Sequence, residues 1–195
     1  MPRSPAGKSS SAGPKGSVGD IGKVILEGIG ITDMRPEHLD GVLAIEHHSF
    51  PSPWTRTAFA SHLQHPEFAK YLVAVRHNQV IGYTGLFFGG GQGQITNLAV
   101  HPDYRHQGIG SRLLLASIDY CIVLGLQGIS LEVRVSNEDA QTLYERFGFA
   151  KVGRRKGYYQ ETGEDAYVMC VFNLNNQEEV AKLNAIRRDL GLYEC

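Results

Sequence analysis

Cysteine is scarce in this chain of 195 residues, and neither charge is in excess. The three cysteines, Cys121, Cys170 and Cys195, are odd in number and show no C-x-x-C spacing. That argues against a disulfide framework or a thiolate zinc site and reads as the reduced thiols of a cytoplasmic protein. Lysine and arginine number 19 against 20 aspartates and glutamates, a formal charge of -1. A nucleic-acid partner would want a strongly basic face, so no direct nucleic-acid binding is expected. No apolar run reaches the roughly 18 residues of a membrane helix, and no membrane association is expected. Residues 1–19 carry a few positive charges but no apolar stretch, unlike a secretory signal. His47 and His48 are adjacent, and His62 and His65 flank a helix end, with no cluster of carboxylates or thiols beside them. No metal site is expected.

What is present divides into three parts. Residues 1–20 are almost all Ser, Gly, Pro, Lys and Ala, too polar to bury a core, and are expected to be a disordered tail. Residues 21–174 read as one α/β domain, and residues 175–195 as an extra C-terminal helix. Within the domain a first strand lies near residues 30–33, and Arg35-Pro36-Glu37 opens a helix carrying Leu39, Val42, Leu43 and Glu46 at helical spacing. Thr55 caps a second helix with Phe59 and Leu63 inward. Strands at 71–76 and 80–88 are joined by His77-Asn78-Gln79, and residues 89–93 form a flexible glycine-rich loop. The central strand, 95–100, sets Ile95, Asn97 and Ala99 on one face and Thr96, Leu98 and Val100 on the other. A helix at 111–124 stops at Gly125, a strand follows at 129–135, and Asn137 caps a helix to Phe147. Two strands near 150–156 and 166–174, joined by residues 157–165, close the domain. The strand–helix–strand unit makes the central strand and 129–135 parallel neighbours in a mixed sheet. In the last helix Val180, Leu183, Ile186 and Leu190 make one apolar stripe, for packing on the domain or for a dimer contact.

The most informative stretch is residues 95–115. Asn97-Leu98-Ala99-Val100-His101-Pro102-Asp103-Tyr104 ends a strand and runs into Arg105-His106-Gln107-Gly108-Ile109-Gly110-Ser111 at a helix start. Glycines there bare backbone N–H groups that lack intrahelical partners, and the helix dipole adds to an anion site suited to a pyrophosphate. The dinucleotide fingerprint is not met, since Leu113 stands where its third glycine would be, and the nucleotide-triphosphate loop is absent. The stretch does match Arg/Gln-x-x-Gly-x-Gly/Ala and closely resembles motif A of the GNAT N-acetyltransferase superfamily. A second block, Leu131-Glu132-Val133-Arg134-Val135-Ser136-Asn137 with Leu143-Tyr144 and Gly148-Phe149, resembles the bacterial ribosomal-protein alanine N-acetyltransferase (RimI) family. A third, Arg154-Arg155-Lys156-Gly157-Tyr158-Tyr159 with Glu164-Asp165-Ala166, resembles that family's closing hairpin.

That resemblance implies a GNAT fold: a mixed, mostly antiparallel central sheet, flanked by helices and splayed between the central strand and the next, parallel one. It implies acetyl-CoA as acetyl donor and no metal. Leu98, Ala99 and Val100 would offer backbone groups to the pantetheine arm, Arg105, His106, Gln107, Gly108, Ile109, Gly110 and Ser111 would cradle the phosphates, and Asn137 would bond the arm. Glu132, flanked by apolar Leu131 and Val133, would be the general base, with burial raising its carboxyl pKa. Many GNAT enzymes place an acid on the central strand, where this chain has Gln92, Gln94 and Asn97. Tyr144 would protonate the leaving thiolate. Cys121 sits mid-helix among apolar residues and is not expected to be a nucleophile.

For the acceptor, Phe50, Trp54, Tyr158 and Tyr159 offer aromatic walls and two phenols. At neutral pH an α-amine is uncharged about 200 times more often than a lysine side chain, so one modest base suffices for an N-terminus. The expected reaction is N-alpha-acetylation of a protein N-terminus by direct attack of the amine on the thioester, with the resemblance pointing to the N-terminal alanine of a small-subunit ribosomal protein. The alternatives are a lysine or small-molecule amine acetyltransferase, or a non-catalytic acyl-CoA-binding module. A monomer or weak dimer is expected.

Overall fold

The computed structural model describes residues 28–192; the expected tail and Cys195 lie outside them. Seven strands, β1 (Ile29–Asp33), β2 (Ala69–Arg76), β3 (Gln79–Gly89), β4 (Gln92–Val100), β5 (Gly128–Arg134), β6 (Ala150–Tyr159) and β7 (Glu164–Phe172), form one sheet in the order β1-β2-β3-β4-β5-β7-β6. Every pairing is antiparallel except β4–β5. Five α-helices accompany them: α1 (Leu39–Ser49), α2 (Arg56–Leu63), α3 (Ile109–Val123), α4 (Glu138–Arg146) and α5 (Gln177–Asp189). This is the mixed, mostly antiparallel α/β sheet that the sequence predicts.

The alternation of apolar residues sorts the helices. Tyr71 and Val73 of β2 pack with Val42, Ile45 and Phe59 of α1 and α2. Their neighbours Leu72 and Ala74 face the other way, onto Ile109, Leu113 and Ala116 of α3. Tyr144 and Phe147, and Leu183 and Ile186 of α5, join the α3 side. Leu183 and Ile186 of the C-terminal stripe, with Leu190 beside them, therefore pack back on the domain while Val180 stays exposed, and an ion pair from Arg187 to Asp119 of α3 reinforces the contact. Thr55, Asn137 and Asn176 cap α2, α4 and α5, each accepting from a backbone N–H three residues on.

Two features position the site. The parallel pairing of β4 with β5 runs only from Gln92↔Gly128 to Ile95↔Leu131, after which the strands part. The second feature is a β-bulge. Gly85 pairs with Asn97 but Leu86 pairs with Ile95, so Thr96 has no opposite number. The extra residue resets the face alternation. Ile95 packs with the α3-side core, whereas Ala99 packs with the α1-side core. The even alternation expected for residues 95–100 thus fails at Thr96. Gly85 is required beside the bulge, because a Cβ there would meet Tyr71 Cε1 at 2.5 Å and Thr96 Oγ1 at 2.7 Å.

Other boundaries shift for local reasons. The expected loop 89–93 shrinks to Gly90-Gly91, both at positive φ, and Gln92 and Gly93 join the central strand. His77 and Asn78 likewise carry positive φ between β2 and β3, leaving Gln79 in the strand. The closing hairpin is longer than expected, since Gly157, Tyr158 and Tyr159 belong to β6. Helix α3 begins at Ile109, before Ser111.

Candidate active site

Where β4 and β5 part, two cavities open side by side. The first, about 510 Å³, is lined by Leu98, Ala99 and Val100 of β4, by Arg105, His106, Gly108, Ile109, Gly110 and Ser111, and by Asn137, Ala140 and Leu143 around α4. Gly108 sits at φ 74°, a left-handed conformation open to glycine at little cost, and heads α3 without a side-chain cap. The helix's first internal bond runs from Arg112 N–H to Gly108 O. The N–H groups of Ile109, Gly110 and Ser111 therefore find no partner within the helix. Unpaired N–H groups at the positive end of a helix dipole fit a phosphate-bearing ligand. Gln107 is the exception among the predicted loop residues: it lines neither cavity, and its Nε2 folds back to donate to the Asp103 carbonyl at 3.2 Å.

The second cavity, about 450 Å³, is lined by side chains from five elements and the segments around them. Phe50, Trp54, Tyr158, Tyr159, Glu132 and Tyr144 all border it, so the structure brings the predicted acceptor residues, base and acid together. Ser49, Phe50, Leu98 and Asn137 line both cavities and mark their junction. Asn137 Oδ1 is engaged as the α4 cap, accepting from Ala140 N–H at 3.1 Å.

Glu132 projects from β5 opposite to Leu131 and Val133, which are core residues. Its side chain is 8% exposed, and both carboxylate oxygens have partners. Gln94 Nε2 donates to Oε2 at 3.0 Å, and Arg155 Nη2 lies 3.2 Å from Oε1. The facing Arg155 guanidinium arrives from β6, whose register against β5 no sequence spacing gives. Tyr144 is buried, which pushes its phenol well above the ordinary range and keeps it protonated at any working pH. Its ring also packs on Phe149, so it is both core and cavity wall. Burial similarly raises Tyr159, to about 12, although the Arg134 guanidinium stacked 3.7 Å over its ring opposes the shift.

Arg134 was legible only as part of a motif. In the structure it ties β5 to the β6–β7 hairpin, donating to Thr162 Oγ1 at 2.9 Å, Glu161 Oε1 at 2.5 Å and Glu164 Oε2 at 3.1 Å. Glu164 also accepts from Ser136 N–H at 2.8 Å. The carboxyls of Glu161 and Glu164 are held below the usual range, the latter chiefly by Ser136.

Sequence reasoning also passed over Glu46. It stands in the apolar repeat of α1 and is fully buried, yet it borders the second cavity. Burial raises its carboxyl pKa, with weaker opposing contributions from the Tyr83 hydroxyl and the Trp54 backbone. A lone acid at a core-facing helical position was the available signal.

Cys121 is buried, which pushes its thiol up to about 12 and makes it inert. Among the described residues no group of three or more His, Cys, Asp and Glu is set to hold a metal, and no helix is long and apolar enough to cross a membrane.

Comparisons with known proteins follow the same outline. The family model described as Acetyltransferase (GNAT) family matches residues 39–149. A protein of Bacillus subtilis strain 168, provisionally named a ribosomal protein bS18-alanine N-acetyltransferase, is 42% identical over 72% of this chain and 93% of its own length. The crystal structure of the ribosomal-protein-S18-alanine N-acetyltransferase from Escherichia coli superposes with a TM-score of 0.68 at 29% identity, covering 74% of this chain and 94% of that one. Arabidopsis thaliana Naa50, in complex with the bisubstrate analogue CoA-Ac-MVNAL, gives 0.64 at 27% identity, covering 74% and 98%.

Proposed function

The chain belongs to the GNAT acetyltransferase family and is an N-acetyltransferase, and from that premise we propose that it transfers acetyl from acetyl-CoA to the α-amine of a protein N-terminus. The N-terminal alanine of a small-subunit ribosomal protein is the acceptor we infer, since relatives covering most of this chain are named for that activity. One observation carries the reading: the β4–β5 pairing ends at Ile95↔Leu131, and the gap joins a cavity at the glycine-headed start of α3 to one bordered by Glu132, Tyr144 and the aromatic residues.

In this reading the first cavity takes acetyl-CoA. The N–H groups at the start of α3 receive its phosphates, Leu98–Val100 pair with its pantetheine arm, and Asn137 stands at the junction where the thioester would lie. Arg105 donates Nε–H to the Val100 carbonyl at 3.2 Å, so its role is to shape the strand end. The second cavity takes the peptide, with its first residues among Phe50, Trp54, Tyr158 and Tyr159. The neutral amine attacks the thioester carbonyl. Glu132 takes the proton that nitrogen must lose as the C–N bond forms and the C–S bond breaks. Tyr144 donates its phenolic proton to the departing sulfur and is reprotonated from solvent.

The test is CoA release with a peptide beginning Ala-Arg, beside the same peptide with a blocked N-terminus and a free lysine. Turnover on the free α-amine alone supports the reading. Turnover on lysine alone, or only on small amines, overturns the choice of acceptor. Acetyl-CoA binding without turnover on any amine overturns the enzyme mechanism.

A further inference from the structure

The core beneath α1 and α2 takes in Tyr71 and Val73 of β2, Tyr83 of β3 and Ala99 of β4, and among the described residues it reaches none of β5 or β7. Past Glu132 that face of the sheet is therefore open. A third hollow, about 270 Å³, lies on it, lined by Phe68, Phe87, Gln92, Gln94 and Ser130 among others, with no charged side chain among the described residues of its wall. Ser130 stands two residues before Glu132 on β5, so it shares the face of Glu132 and lies about 7 Å back along the strand. Gln94 borders this hollow and the acceptor cavity alike.

Two exposed phenylalanines flank the strip. Phe68, just before β2, is 40% exposed yet firmly held. Its carbonyl accepts from Phe88 N–H at 2.9 Å, and its ring stacks on His65 with centroids 5.1 Å apart and meets Phe87 edge-on at 6.2 Å. Such a ring offers apolar area with little entropy left to lose. Phe172, 58% exposed at the end of β7, stands opposite Gly128, and residues directly opposite share a face. That face is the one carrying Gln92, since a Cβ on Gly128 would meet Gln92 Oε1 at 2.8 Å. Between the two rings the wall is polar but uncharged. Asn97 is engaged inside it, donating from Nδ2 to Glu46 Oε1 at 3.4 Å. Gln94 is half-buried: its Nε2 donates to Glu132, and its Oε1 has no partner among the described residues.

We propose that the acceptor chain runs on from the second cavity along β4 and β5, its amine at Glu132 and a large apolar side chain at its third, fourth or fifth residue seated between Phe68 and Phe172. This rests on the reading of the second cavity as the acceptor site. The junction with the first cavity is where acetyl-CoA meets the amine, and Phe50 and Trp54 on one side and Tyr158, Tyr159 and Glu161 on the other wall the passage. The way past Gln94 leads onto the open strip. An extended chain advances about 3.3 Å per residue, so its third residue lies over Ser130 and its fifth over Gly128. Gln94 Oε1 is the acceptor for a peptide N–H on the way. The strip touches no reacting atom, so its contribution is the same before and during attack and appears in the acceptor KM, not in kcat.

The experiment measures the acceptor KM for the peptide Ala-Arg-Ser-Ser-Ser-Ser and for three relatives carrying one phenylalanine at position 3, 4 or 5. Wild type is expected to show a KM about tenfold lower for one of the three than for the serine parent, the worth of burying part of a large apolar side chain, with kcat and the acetyl-CoA KM within about twofold. Phe68→Ala is expected to cut that gain to about twofold, and Phe172→Ser to about threefold. Phe68→Lys is expected to exchange the preference: glutamate at the chosen position then lowers KM about threefold below the serine parent, and phenylalanine no longer does. A loosened fold weakens every peptide together and cannot exchange one preference for another. No gain at any position in wild type, or a gain that Phe68→Ala and Phe68→Lys both leave intact, overturns the proposal while turnover of the serine parent still upholds the acceptor reading. No turnover of any of the four peptides overturns that reading and this extension with it.

Discussion

The two cavities that meet at Leu98 and Asn137 are built from different materials. The first is backbone: the free edge of β4 where β5 departs, and the unpaired N–H groups of α3 behind Gly108. One stretch of chain supplies most of it, with His106 and Gly108 both at positive φ in the turn before α3. The second is side chain: three carboxylates, three phenols and three amides, drawn from α1, β4, β5, the start of α4 and α4 itself, and the β6–β7 hairpin. A backbone site serves a ligand common to a whole family, because any sequence that folds so presents the same N–H groups. A side-chain site can change with each substitution and, in the proposed function, is where the acceptor would be chosen. The largest expected effects of mutation therefore fall in the second cavity on kcat or the acceptor KM, and those in the first on acetyl-CoA.

Glu132→Gln breaks the comparison most directly. The variant keeps the shape and the Gln94 contact but cannot take a proton, and kcat should fall by about 10²–10⁴, the usual worth of a general base. The acetyl-CoA dissociation constant should stay within about twofold, read by titration of the free enzyme. A kcat within threefold of wild type removes Glu132 as base and passes the role to another group. Tyr144→Phe should cost less. A thiolate with an ordinary pKa near 8.5 leaves readily without help, so about a tenfold loss at pH 7 is expected, shrinking toward pH 9. A loss that does not shrink with pH would mean that the hydroxyl serves packing or binding instead.

The same difference in materials decides what was legible in the sequence. The strand, turn and glycine helix start are contiguous, so residues 97–111 announced a glycine-headed helix start after a strand and, through the family resemblance, the fold. Glu132 and Tyr144 were legible because each sits in a short block with a fixed neighbourhood. Arg155 facing Glu132, Arg134 locking the hairpin, and Glu46 gripping Asn97 were not, since each contact joins elements distant in sequence. The bulge was hidden for a different reason. Residues 95–100 alternate well enough to read as a plain strand, and it is the register against β3, with Gly85 closely approached by Tyr71 and Thr96, that shows where the alternation breaks. A polar residue within an apolar repeat is the one clue to Glu46, and spacing alone places it in the α1 repeat without a role.

In the first cavity, Gly108→Ala sharpens the comparison from the other side. A Cβ in the left-handed region costs about 1–2 kcal/mol, which for a chain of this size is a fall of roughly 2–8 °C in Tm. The nearest atom to that Cβ would be Leu190 Cδ2 at 3.6 Å, so strain in φ, not a clash, carries the effect. Acetyl-CoA KM should rise several-fold as the helix start shifts, while the acceptor KM holds. If both constants rise together, the cavities are coupled through α3 and cannot be treated as separate sites.

The smallest effect concerns the hairpin that roofs the second cavity. Glu164 is held below its ordinary value of 4.5, first by Ser136 and then by Arg134. A depressed carboxyl pKa contributes stability that is complete above the ordinary value and is lost as pH falls through the lower, folded one. Between pH 7 and pH 5 the anchor should therefore be intact, and the hairpin should loosen only on further acidification. Because Glu164 is at the surface and Arg134 keeps Glu161 and Thr162 as partners, Glu164→Gln should leave Tm nearly unchanged. What should move is local: faster hydrogen exchange at Ser136 and Thr162, and an acceptor KM raised about twofold with acetyl-CoA untouched. Exchange at Ser136 that matches wild type at pH 7, yet still accelerates below pH 4, would assign the acid sensitivity to Asp165, whose carboxyl accepts from Gly157 N–H at 2.8 Å and Arg154 Nε at 2.6 Å.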